Sequence, residues 1–102
     1  MEFLNMNHIK TYSKNALNEQ MRCVMRVAAM LKKAKQLNVA PAIGKSAVVF
    51  SQWINRKFDY NEVTLQTMIE YFKNTYKADI EIIFQLAEEV YTYEQQIEYN
   101  IK

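Results

Sequence analysis

Gly44 and Pro41 are the only glycine and the only proline in 102 residues, and that scarcity constrains the fold more than any other feature. Hairpins and tight turns lean on glycine for positive φ, and proline and glycine together punctuate most β proteins. Half the residues are hydrophobic and 13% are aromatic, enough apolar surface to close a core. The expectation is an all-α fold: a small bundle of about five helices in a single helical domain, 1–102. It divides into a lead-in over 1–15, a core over 16–78 and a C-terminal amphipathic helix over 79–102.

The net charge of +2 conceals an asymmetry. Residues 1–57 carry ten Lys or Arg against two acids, whereas residues 58–102 carry three Lys against nine acids. Such a split suggests one face aimed at a polyanion and another turned away from it. The alternative is two solvated faces with an accidental bias.

Several function classes fall away. No apolar stretch approaches the roughly 20 residues of a membrane span, and "MEFLNMNHIK" has neither the basic start nor the apolar run of a signal peptide. The expected location is the cytoplasm. Cys23 has no second cysteine for a disulfide or a metal site and reads as a core or boundary residue. His8 has no triad partners nearby, and one glycine cannot build a phosphate or dinucleotide loop. The carboxylates lack metal-ligand spacing, so neither an enzyme nor a metal or other cofactor is expected.

Along the chain, Leu17, Met21, Val24, Met25, Ala28 and Leu31 fall at steps of three and four, predicting a helix over 16–36 behind caps at Ser13–Asn15. Met21, Met25 and Met30 read as core filler. Residues 46–55 predict a helix capped by Ser46, with Val49, Phe50 and Trp53 on one face. A further helix over 62–73 has Asn61 as its cap and Leu65, Met68, Ile69 and Phe72 as its stripe. Asp79 is the expected cap of the last helix. There Ile83, Leu86, Val90, Tyr93 and Ile97 alternate at three and four like a coiled-coil seam, which can cover its own core or pair with a second copy.

The most specific signal is a spacing. Counting back from Trp53, Phe50 is three residues earlier, Gly44 nine, Ala40 thirteen and Gln36 seventeen. This resembles the helix-turn-helix of λ-repressor and Cro-type (XRE-like) DNA-binding proteins, over about residues 36–72. Gln36 matches the polar first position, Ala40 the small fifth and Gly44 the turn. Val39, Ile43, Phe50 and Trp53 match the apolar positions, and "SQWINRK" is similar to the motif's usual ending. Physical reasons support the same residues independently. Glycine permits a positive φ at the turn, and a small side chain lets two helices approach closely. Pro41 departs from the pattern, and a second helix shortened by an Asn38 cap would place it in a first turn, where its missing N–H costs nothing.

The resemblance implies that residues 46–55 form a recognition helix in the major groove of double-stranded DNA. Ser46, Ala47, Val48, Ser51 and Gln52 then face base edges, with Gln52 suited to adenine and Ala47 and Val48 able to meet thymine methyls. Gln36, Lys45, Asn55, Arg56 and Lys57 stand where the family grips phosphates, and Lys32, Lys33 and Lys35 can add to that surface.

Two functions follow as expectations. One is a small sequence-specific DNA-binding transcriptional regulator, repressor-like, of phage or plasmid character and acting as a homodimer through the last helix. The other is a protein–protein interaction module, such as a phage-type inhibitor or anti-repressor, that keeps the motif as a scaffold.

Overall fold

The computed structural model describes residues 16–101, and side chains as far as residue 97. The expected caps Ser13, Lys14 and Asn15, like His8, lie outside the described residues. Five helices follow one another: α1 (Ala16–Met30), α2 (Gln36–Ala42), α3 (Ala47–Ile54), α4 (Glu62–Thr75) and α5 (Ile80–Ile101). No strand occurs among the described residues, and no helix there is long and apolar enough to cross a membrane.

Helix α1 is the spine. It packs along α5 and against α4, while α2 packs against α3. Its stripe is wider than the sequence spacing suggests, because Asn18, Gln20 and Arg22 are buried alongside Leu17, Met21, Cys23, Val24, Met25 and Ala28. The core continues through Val39, Ala40, Phe50 and Trp53, then Leu65, Met68, Ile69 and Phe72, and closes on Ile83, Phe84, Ala87 and Tyr91 of α5.

Three helices end in the same way. Lys32 (φ 59), Gly44 (φ 75) and Arg56 (φ 61) are left-handed. In each case the next N–H reaches back five residues: Lys33 to the Ala28 carbonyl at 2.9 Å, Lys45 to Ala40 at 2.8 Å and Lys57 to Gln52 at 2.9 Å. This closes the last turn and satisfies carbonyls the helix leaves open. Each left-handed residue is followed by a lysine, whose charge suits the negative end of the helix dipole. The device explains why α1 stops at Met30 rather than running to Gln36. Past the end of the stripe, Lys32 turns the chain so that Ala34 and Val39 reach the core.

The starts of α3 and α4 follow expectation. Ser46 Oγ accepts the Val49 N–H at 3.2 Å, and Asn61 Oδ1 accepts the Thr64 N–H at 2.9 Å. Other expectations need correction. Helix α2 is not shortened by an Asn38 cap: it begins behind Lys35, and Pro41 lies inside it. The carbonyl that the proline cannot serve belongs to Leu37, a residue 72% exposed. Met30 is exposed rather than core filler, and Val49 is 38% exposed rather than facing inward with Phe50 and Trp53. Asp79 opens the α5 ladder with its carbonyl, while its carboxylate lies 3.6 Å from Lys33 Nζ.

The α5 seam divides. Ile83 is fully buried in the chain's own core, whereas Leu86 and Val90 pack against that core and stay half-exposed. The reason is geometric: α5 lies along α1, and its first turns cover α1's wide apolar face. Tyr93 and Ile97, farther along, remain exposed.

Candidate nucleic-acid interface

Helix α3 is held by one edge. Phe50 and Trp53 are fully buried with ring centroids 5.3 Å apart, and Tyr60 stacks on Trp53 at 5.3 Å. Ala40, also fully buried, has the small side chain needed where α2 meets α3, and Gly44 makes the turn between them. A Cβ added at Gly44 would meet nothing within 4 Å, so backbone conformation rather than space favours glycine there.

Polar residues of α1 fix the end of α3. Asn18 Oδ1 accepts the Trp53 indole N–H at 2.7 Å and the Tyr60 backbone N–H at 3.0 Å, while Asn18 Nδ2 donates to the Tyr60 carbonyl at 3.1 Å. Arg22, 2% exposed, donates through Nε to the Trp53 carbonyl at 2.7 Å and through Nη2 to the Phe58 carbonyl at 2.8 Å. Its charge is met by Glu19 at 2.7 Å and Asp59 at 2.9 Å. In the sequence Arg22 figures only in the basic total of residues 1–57, and Asn18 carries no mark of its role. The available signal was their i, i+4 spacing beside the Leu17–Met21 stripe, with Glu19 one step away.

The arginines do not supply a basic surface. Arg26 pairs with Glu94 of α5 through two hydrogen bonds of 2.9 and 3.0 Å, which hold the Glu94 carboxyl below its usual range against the opposing effect of burial. Arg56, expected to grip phosphate, is engaged by Glu19, with Nη2 2.8 Å from Oε2 and Nε 3.0 Å from Oε1. Burial pushes the Glu19 carboxyl up, but the hydrogen bonds and charges of Arg56 and Arg22 outweigh it and hold the group below its ordinary value. Lys33 is drawn toward Asp79.

The other expected residues are largely outward. Gln36, Ser46, Val48, Gln52, Asn55 and Lys57 are exposed, and Lys45, Ala47 and Ser51 are half-buried. Several carry local duties. Ser46 spends its oxygen as a cap, leaving its O–H to donate; Asn55 Nδ2 donates to the Ser51 carbonyl at 3.0 Å; and Lys45 Nζ lies 5.6 Å from the Tyr60 ring centre. Gln36, Leu37, Ala47, Val48, Ser51 and Gln52 line one open groove of about 430 Å³ between α2 and α3. Leu37, absent from the sequence-based site, is 72% exposed at its edge, and Val48 is 69% exposed.

One electrostatic feature frames this groove. No Asp or Glu occurs anywhere from residue 20 to residue 58, a span that contains all of α2, the turn and α3. No protein-family model matches the chain, and no curated protein or solved structure shows significant similarity to it.

Proposed function

We propose that the chain is a small DNA-binding regulator that lays α3 in the major groove of duplex DNA. The observation that carries this reading is the acid-free α2–turn–α3 segment, which presents one edge of α3 outward while Phe50 and Trp53 anchor the other. A polyanion can approach it without meeting a carboxylate from that segment. Gln52, Ser51 and Val48 are the base-facing side chains; Gln36, Lys45, Asn55 and Lys57 contact phosphates, and Arg56 joins them only when it leaves Glu19. The reading includes dimerisation through Tyr93 and Ile97, and repression by occupying the site, at an address in the cytoplasm.

A fluorescence anisotropy titration against duplex DNA over about 50–200 mM salt tests it. Affinity should fall steeply with salt, and Lys45→Ala with Lys57→Ala should reduce the log–log slope by about 2. No duplex binding at the lowest salt would refute the reading.

Exposed Leu37 and Val48 favour a second reading, in which the groove takes an apolar helix of a partner protein on the same scaffold. Partner capture that is insensitive to salt, with no DNA binding, would support it.

A further inference from the structure

If α3 meets duplex DNA, the groove beside it also limits which bases it can read. The commonest specific contact to guanine is a bidentate Arg or Lys on its O6 and N7. Neither residue occurs among the outward positions 47, 48, 51 and 52. All three arginines of the chain are tied to carboxylates: Arg22 to Glu19 and Asp59, Arg26 to Glu94, Arg56 to Glu19. Lys45 and Lys57 stand beyond the two ends of α3, in the position of phosphate contacts.

What the helix does present is apolar. Val48 is 69% exposed, Ala47 is half-buried beside it, and both line the groove with Ser51 and Gln52. The only apolar group on the floor of the major groove is the thymine C5 methyl, and the base paired with thymine is adenine, which offers the donor and acceptor that a glutamine amide matches.

We propose that this surface selects A·T-rich sites by methyl contact, with Val48 and Ala47 meeting thymine methyls and Gln52 reading a neighbouring adenine. The inference rests on the DNA-binding reading. It commits the groove to a duplex edge rather than to a peptide because residues 20–58 bear no acid while Lys45 and Lys57 flank the helix. An apolar patch in such surroundings complements a polyanion whose floor is methylated.

The test uses the full chain and duplexes recovered from a randomised pool, then remade with deoxyuridine in place of thymidine, which removes the methyl and leaves pairing intact. Recovered duplexes should be A·T-rich. Each contacted methyl removed should weaken binding roughly fourfold, the value of about 0.8 kcal/mol per buried carbon. Val48→Ser should narrow the gap between the thymine and uracil duplexes to the share that Ala47 contributes, whereas Val63→Ser, at a valine 75% exposed on α4, should keep the full discrimination. Binding with no difference between thymine and uracil, or recovery of G·C-rich sites, overturns the inference and leaves the DNA-binding reading standing. Failure to recover any duplex at low salt overturns both.

Discussion

The guanidinium of Arg56 lies against the carboxylate of Glu19, with three N–H···O distances of 2.8, 3.0 and 3.1 Å. A residue of the first helix thus holds the arginine that follows the outward-facing helix α3. Its left-handed backbone, φ 61, belongs to the turn that ends α3. The same carboxylate also meets buried Arg22, so one acid serves an internal cation and an external one.

Glu19→Gln should therefore separate binding from stability. With Arg56 released to a phosphate, duplex affinity should rise and the salt slope steepen by about 0.9. Stability should fall by about 1 kcal/mol as Arg22 loses a charged partner. Anisotropy and urea unfolding measure the two effects; an unchanged slope would mean that Arg56 touches no phosphate.

Acid should unfold the protein through two carboxylates. Glu94 is held below its usual range chiefly by the Arg26 hydrogen bonds, and Glu19 by Arg56 and Arg22 despite the upward push of burial. A depressed folded-state pKa contributes stability above the ordinary value of 4.5, and that stability is lost as pH falls through the folded value. Unfolding free energy should be level toward neutral pH and decline below about 4.5, with a shallower decline in Glu94→Gln. Equal acid sensitivity in that variant would contradict the assignment.

Asn18→Ala should be costly because it strands two buried donors, the Trp53 indole N–H and the Tyr60 N–H. A loss of about 2–4 kcal/mol is expected, together with a red shift in the emission of the chain's single tryptophan. A loss well under 1 kcal/mol would show that the indole finds another acceptor.

Gln20 offers the opposite case. Its side chain is fully buried, and neither amide atom has a hydrogen-bond partner among the described residues. Replacing it by Met, of similar length and without the desolvation cost, should raise stability by about 1 kcal/mol, or roughly 4–8 °C in Tm. Destabilisation in a thermal melt would show that the amide is bonded in solution.

Much of this architecture was legible because it rests on local rules. The α4 stripe Leu65–Phe72, the caps Ser46 and Asn61, the turn at Gly44 and the inward edge Phe50–Trp53 follow from spacing and capping chemistry, and the all-α class from a chain with one glycine. What was missed depends on long-range partners. Arg22 looks like surface charge until Trp53 and Asp59 fold beside it, and Arg56 looks like a phosphate contact until Glu19, 37 residues earlier, arrives. The end of α1 was hidden because Lys32 adopts a left-handed backbone that sequence rules reserve for glycine. Ile83 reads as part of a dimer seam only until α1's wide buried face takes it into the chain's own core.

Binding at the outward edge of α3 is the central claim, and a nitrogen-15 NMR titration with a duplex recovered by the chain tests it most directly. Backbone shift changes should concentrate at Gln36–Leu37, Lys45–Gln52 and Asn55–Lys57, and leave the middle of α5 unmoved. Changes confined to α5, or none at stoichiometric DNA and low salt, would contradict it.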